Sequence, residues 1–208
     1  MQIKSPNFEH GETIPAAHAF CRIDPATHAT FSDNVSPGLT WAEVPEGTRS
    51  FALICRDGDV PSRGDDVNKE GREVPSDLPR VEFIHWLLWN IPAQARGLEE
   101  GSQARGVTAR GKAGPDAPSG MRHAVNDYTG WFAGDADMAG DYFGYDGPCP
   151  PWNDSILHHY EFTLYALDRA ELALEGAVDV AALRAAMKDH VLAQATLMGT
   201  YSLNPELG

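Results

Sequence analysis

"HHYEFTLYALD", residues 158 to 168, is the stretch on which the reading of the fold turns. Its residues alternate: His158, Tyr160, Phe162 and Leu164 fall on one side of an extended chain, and His159, Glu161 and Thr163 on the other. Alternation in a run rich in aromatic and β-branched residues marks a strand with one buried face. It also separates two neighbouring histidines. His158 points with the apolar set toward an interior, and His159 points outward with the polar set.

Outward from this strand, "SFALIC" (50 to 55) and "VEFIHWLLWNI" (81 to 91) are apolar on both alternating faces, which suits central strands covered on two sides. A fourth run, "ATLMGTYSL" (195 to 203), lies near the C-terminus. In "DVAALRAAMKDHVLAQ" (179 to 194) the stripe Val180, Leu183, Met187 and Val191 predicts a helix with Asp179 as its N-cap, packed by one face on the sheet. Two polar stretches, 57 to 80 and 92 to 143, are longer than ordinary connections and mark functional or ligand-adjacent loops. The pattern predicts a mostly β fold, a sandwich with peripheral helices.

The chain has 208 residues, 42% of them hydrophobic, enough for one sizeable core and a single domain. Sixteen Lys and Arg against 30 Asp and Glu give a formal charge of −14, which repels nucleic acid and anionic lipid surfaces. A phosphorylated partner must therefore be met by a local site. No apolar run approaches the roughly 20 residues of a membrane span, so no integral membrane association is expected. "MQIKSPNFEHGETIP" lacks the basic-then-apolar pattern of a signal peptide, and the expected location is cytoplasmic. Cys21, Cys55 and Cys149 form no CxxC pair and are expected to be reduced thiols.

Several motifs fail on inspection. "GVTARGKA" (106 to 113) nearly spells a phosphate-binding loop, but Ala113 replaces the metal-binding hydroxyl and no strand precedes Gly106. It reads as a flexible loop. "GDADMAGDY" (134 to 142) lacks the closing glutamate of a calcium loop and reads as a solvated acidic segment. No serine occupies a GxSxG elbow, and no catalytic motif is found.

What survives is a set of polar residues on apolar strand faces. Parity groups His85 with Phe83, Leu87 and Trp89, and Asp57 with Phe51, Leu53 and Cys55, alongside His158 in its own apolar company. A buried polar group left unsatisfied costs about 1 to 3 kcal/mol, so each of the three needs partners. Alone, each reads as a satisfied core histidine or a turn aspartate; together they nominate a site. They are also the ligand types of a two-His, one-carboxylate metal centre, which makes a metal-dependent hydrolase the competing reading. Neither HxH nor HExxH spacing supports it.

At these residues the chain resembles a known family. "DGDVP" (57 to 61), "HWLLWNIP" (85 to 92), "GYDGPCPP" (144 to 151) and "HHYEFTLYALD" are similar, in order, to the signature blocks of the phosphatidylethanolamine-binding protein family, also called Raf kinase inhibitor-like proteins, in its bacterial branch. "SPGLTWAEVPEGTRSFAL" (36 to 53) matches an earlier block, and the resemblance spans about 34 to 203. It implies an antiparallel β-sandwich with a small anion pocket at one end, no cofactor, no metal and no accepted enzymatic activity. The ligand it implies is a phosphate-type or carboxylate headgroup, such as phosphoethanolamine on a phospholipid. Carried over by position, the ligand-binding residues are Asp57, His85, Gly147, His158 and Tyr160, with backbone N–H groups around Gly147 as donors. Gly58 stands where proline is usual and His159 where arginine is common. Long inserts at about 62 to 80 and 104 to 141 are candidates to roof the pocket or to mediate association, with a protein partner or as a homodimer.

Overall fold

Residues 1–207 are described by a computed structural model. In chain order the strands are β1 (Gln2–Lys4), β2 (Cys21–Asp24), β3 (His28–Phe31), β4 (Leu39–Ala42), β5 (Ser50–Pro61), β6 (Arg80–Pro92), β7 (Gly97–Leu98), β8 (Arg122–His123), β9 (His158–Leu167) and β10 (Val191–Tyr201). Two helices join them, α1 (Tyr128–Trp131) and α2 (Val180–Met187). The main sheet runs β10-β9-β5-β6-β8 with antiparallel neighbours throughout. A three-stranded sheet, β1-β4-β7, and the β2-β3 hairpin complete the β structure.

Both faces of the main sheet are covered, which explains the two-sided apolar sequences of β5 and β6. On one face Phe51, Leu53, Trp86, Leu88, Phe162 and Leu164 pack with Ile3, Leu39 and Trp41 of the smaller sheet. This is the sandwich interior. On the other face Ala52, Ile54, Leu87 and Trp89 pack with Leu183 and Met187 of α2. Burying side chains of this size contributes about 1.5 to 3 kcal/mol each.

Three expectations change. The helix predicted over 179 to 194 spans only Val180–Met187, capped as expected by Asp179, whose carboxylate accepts from the Ala182 N–H at 2.8 Å. After a turn at 188 to 190 the chain enters β10, which runs from Val191 and not from 195, so Val191 belongs to a strand and is 40% exposed. The apolar spacing continued past Met187, but the β-branched Val191 and the open flank of β9 favour an extended chain.

Parity fails just beyond His85. Cys55 pairs with Trp86 while Arg56 pairs with Ile84, so His85 is the extra residue of a β-bulge. Phe83 and His85 share the interior face, but Trp86 and Leu88 take it over, and Leu87 and Trp89 turn to α2. The bulge re-aims the imidazole without moving the strand.

Cys21 and Cys149 form a disulfide across 128 residues, with Cα atoms 4.8 Å apart, and only Cys55 of the three remains a thiol. The expectation of three reduced cysteines is therefore corrected. The two chain segments are held together first by backbone: the Phe20 and Cys21 N–H groups both donate to the Pro148 carbonyl, at 2.9 and 3.1 Å. Spacing along the sequence carries no trace of such a pairing.

Candidate functional site

A cavity of about 370 Å3 opens at one end of the interior face, and Asp57, His85, His158 and Tyr160 all line it. Strand register explains their meeting: Asp57, in the second half of β5, lies directly opposite Tyr160 of β9 and opposite Phe83 of β6, two residues before His85. His85 and Tyr160 rings meet edge to face with centroids 5.1 Å apart. Parity on β5 and β9, and the bulge on β6, converge on one place.

The two histidines have different chemistry. His158 is fully buried, with Nδ1 2.7 Å from Asp57 Oδ2 and Nε2 3.1 Å from Asp154 Oδ2. Both contacts require N–H donors, so the ring is an imidazolium. Burial alone would lower its basicity, but hydrogen bonds and charge from Asp154 and Asp57 prevail and raise its pKa to about 9. Asp154 in turn accepts a two-pronged contact from Arg80, at 2.6 and 3.0 Å. Burial opposes ionisation of Asp154, yet the hydrogen bonds from His158 and Arg80 hold its carboxyl below the usual value. Asp57, His158, Asp154 and Arg80 thus form a linear chain of alternating charge.

His85 is the opposite case. Its Nδ1–H donates to the Asp146 carbonyl at 2.8 Å, which leaves Nε2 as an acceptor without a protein partner among the described residues. Burial lowers its pKa below 6.5, partly offset by the Asp57 charge and the Asp146 carbonyl. Asp146 is itself fixed from three sides, accepting from Asn34 and Asn126 at 2.7 Å each and pairing with Lys112 at 2.8 Å. Lys112 also donates to the Tyr145 carbonyl. The segment read as a flexible loop is therefore anchored by its lysine, whose side chain is only 14% exposed. The near-match to a phosphate loop put a lysine there, and its partner proved to be a buried carboxylate.

Tyr160 is 1% exposed, and its hydroxyl, beside Asp57, reaches no hydrogen-bond partner among the described residues. Burial, then the charges of Asp57 and Tyr128 and a contact with the Asp57 carboxylate too loose for a well-formed hydrogen bond, push its pKa well up, so it stays a donor. Gly147 stands apart from its companions. Its N–H donates to Asn34 Oδ1 at 2.9 Å, its carbonyl accepts from Tyr128 Oη at 2.8 Å, and a Cβ there would collide with the His18 carbonyl. The expected donor is engaged within the protein, and glycine is required for close approach of two backbones.

The sequence departures are also accounted for. Gly58 lies in a bulge between Asp57 and Val60, and the Asp59 N–H folds back on Asp57 Oδ1 at 2.7 Å. Asp59 Oδ2 then accepts from the His159 N–H at 2.9 Å and its Nδ1 at 2.8 Å, so Asp59 is tied to the exposed histidine. The two-His, one-carboxylate metal centre gains no support, because His158 has both nitrogens committed to carboxylates and no lone pair to donate. Among the described residues no group of three or more His, Cys, Asp or Glu side chains is disposed to hold a metal ion.

Sequence reasoning missed the cavity's aromatic walls. Phe20 and Tyr128 stack at 4.5 Å, Phe132 lies 5.6 Å from Tyr128, and Phe31 and Trp131 stand half exposed at the mouth. A signal existed in "DYTGWF" (127 to 132), three aromatic residues inside a stretch otherwise rich in glycine and aspartate. Both long inserts reach the cavity, through Ser62 to Asn68 and through Tyr128 to Phe132. Asp154 and Arg80 were also missed; only the four-residue step from Asp154 to His158 hinted at the former.

Residues 4–202 match the family model described as phosphatidylethanolamine-binding protein. A protein described as UPF0098 protein from Methanothermobacter thermautotrophicus is 34% identical over 180 residues, covering 85% of this chain and 89% of that one. YbhB of Escherichia coli, with the same description, is 27% identical over 97% of this chain and 100% of its own. The crystal structure of E. coli YbcL, titled a new member of the mammalian PEBP family, superposes with a TM-score of 0.68 at 26% identity, covering 97% of each chain. A putative phosphatidylethanolamine-binding protein homologue from Chlamydia trachomatis superposes with a TM-score of 0.63 at 28% identity, covering 97% of this chain and 96% of that one.

Proposed function

The chain belongs to the phosphatidylethanolamine-binding protein family, and we propose that its cavity binds a small phosphate-type or carboxylate headgroup, of which phosphoethanolamine is the model. One observation carries this: a buried tyrosine hydroxyl without a partner stands at the cavity floor beside an imidazole whose Nε2 is also unpartnered. Unsatisfied buried polar groups are costly, and a ligand oxygen relieves that cost. Tyr160 donates to the anion. His85 accepts the proton of a protonated headgroup, or takes up a proton itself as the anion's charge raises its basicity.

Asp57 and His158 act from behind. Their ion pair holds Asp57 in place and prevents an uncompensated carboxylate from repelling the ligand. Binding rather than turnover is the reading, since the more basic histidine has no free nitrogen with which to move a proton. A protein partner, if regulated by this chain, would sense the occupied cavity through the inserts that form its rim.

Calorimetric titration with inorganic phosphate and phosphoethanolamine tests the assignment. Wild type is expected to bind, and Tyr160→Phe to bind about 10- to 100-fold more weakly, the range for a hydrogen bond to a charged group. Absence of binding by folded wild type, or equal binding by Tyr160→Phe, overturns it.

A further inference from the structure

We infer that Lys112 is a positioning residue for the cavity: from behind the site its ammonium offsets the Asp146 carboxylate and fixes the adjoining turn, so that His85 keeps a neutral ring with Nε2 as an acceptor. The inference rests on the headgroup reading above and extends it to a residue outside the cavity lining. A lysine whose side chain is only 14% exposed must be delivered by its segment, and the insert at 104 to 141 does so through two glycines. A Cβ on Gly111 would collide with the Asp141 backbone, and one on Gly140 with the Arg110 backbone. Gly111 also has a φ of 90°, where glycine is favoured. With the two backbones in contact, the Lys112 N–H donates to the Asp141 carbonyl at 2.8 Å and its side chain reaches the buried Asp146.

Three side chains hold the turn that carries the acceptor of His85. Asn126, from the same insert, donates to the Gly144 carbonyl at 3.0 Å as well as to Asp146. Asn34 bridges Asp146 and the Gly147 N–H, and Lys112 bridges Asp146 and the Tyr145 carbonyl. The turn is bonded twice to residue 85. The Asp146 N–H donates to the His85 carbonyl at 3.1 Å, and the His85 Nδ1–H donates to the Asp146 carbonyl at 2.8 Å. Of the three clamping side chains only Lys112 brings charge. Asn34 and Asn126 orient the carboxylate but would leave its charge uncompensated in the interior.

The charged groups that face His85 give the reason for that cation. Asp57 of β5, Asp146 of the turn and Asp127, which precedes α1, all favour the imidazolium, and burial outweighs them. Asp57 is offset by protonated His158, and Asp146 by Lys112. Asp127 accepts from the Ile84 N–H at 2.7 Å, and burial pushes its own pKa up. The rings of Phe83, Tyr128 and Tyr160 complete the surroundings, and burial holds both hydroxyls protonated. Burial also lowers the Lys112 pKa, opposed by the charge and the hydrogen bond of Asp146. Without the ammonium an unopposed carboxylate stands on the residue whose carbonyl accepts from His85. The balance then moves toward imidazolium.

Nitrogen-15 imidazole spectra and sulfate titrations of the full chain across pH 4.5 to 8 test this. In Lys112→Met the protonation midpoint of His85 should rise by about one pH unit, the pH at which sulfate binding tightens should rise with it, and His158 should keep both nitrogens protonated. Lys112→Arg, which retains the charge, should match wild type. Asp146→Asn removes the carboxylate and leaves the cation, so the His85 midpoint should fall; this variant decides the matter if Lys112→Met does not fold. A lysine that served only the fold would lower the urea midpoint of Lys112→Met and leave His85 as in wild type. That result, or a rise of the His85 midpoint in Asp146→Asn, overturns the inference. Absence of sulfate binding by wild type overturns the headgroup reading, and the His85 midpoints then decide the role of Lys112 by themselves.

Discussion

His158 and His85 stand on the two strands that flank Asp57, yet their surroundings assign them opposite duties. His158 has both nitrogens tied to carboxylates and carries a proton. His85 has one nitrogen tied to a backbone carbonyl and the other uncommitted, and burial keeps it neutral. The contrast separates holding the site together from meeting a ligand: two identical side chains differ in charge because one faces two carboxylates and the other a peptide group.

Removing the clamped histidine should have the largest effect. His158→Ala leaves Asp57 and Asp154 buried without their shared counter-charge, an expected loss of about 3 to 5 kcal/mol in urea unfolding. His85→Ala should cost less than half as much. Equal losses would erase the distinction.

The disulfide between Cys21 and Cys149 joins two segments that line the cavity. Comparing wild type with the Cys21→Ser, Cys149→Ser double variant should show a loss of about 2 to 4 kcal/mol, abolished when wild type is measured in a dithiol reductant.

Acidity should separate the histidines by sign. Because the folded pKa of His158 is raised from 6.5 to about 9, its contribution is complete below pH 6.5 and disappears as pH rises through 9. Unfolding free energy should therefore fall by about 3 kcal/mol across that window, and His158→Ala should flatten it. For His85, whose folded pKa is lowered, stability is lost on the acid side of pH 6.5, where the unfolded chain takes up the proton more readily. Sulfate, which does not titrate in this range, should bind more tightly as pH falls from 8 toward 6, and His85→Phe should remove that dependence.

The smallest effect is expected at Tyr160. Because its hydroxyl is buried and unpartnered, Tyr160→Phe should leave stability unchanged or raise it by up to about 1 kcal/mol while weakening the ligand. A clear loss of stability would mean that the hydroxyl serves the fold.

How much of this was legible in the sequence follows from the range over which each interaction acts. Period-two alternation is local, so the four long strands β5, β6, β9 and β10, the inward turn of Asp57 and His158 and the outward turn of His159 could be read directly, whereas the short strands β1 to β4, β7 and β8 could not. His85 was found for a partly mistaken reason: its parity with Phe83 holds, but its parity with Leu87 and Trp89 is broken by a bulge that no local pattern announces. The Cys21–Cys149 bond, Arg80 on Asp154 and Lys112 on Asp146 join residues 128, 74 and 34 positions apart, and each depends on how irregular segments return to the sheet. The helix was placed correctly at its N-cap and overextended at its end, because apolar spacing continued into a segment that the edge of β9 recruited as strand.

The central claim is that the two strands flanking β5 hold one charged, committed histidine and one neutral, available one. Nitrogen-15 correlation spectra of the imidazoles at pH 7.5, with and without phosphate, test it most directly. The account predicts two protonated nitrogens on His158, unchanged by phosphate, and a single Nδ1–H on His85 whose Nε2 resonance moves on titration. A neutral His158, or a His85 signal unmoved while phosphate binds, would contradict it.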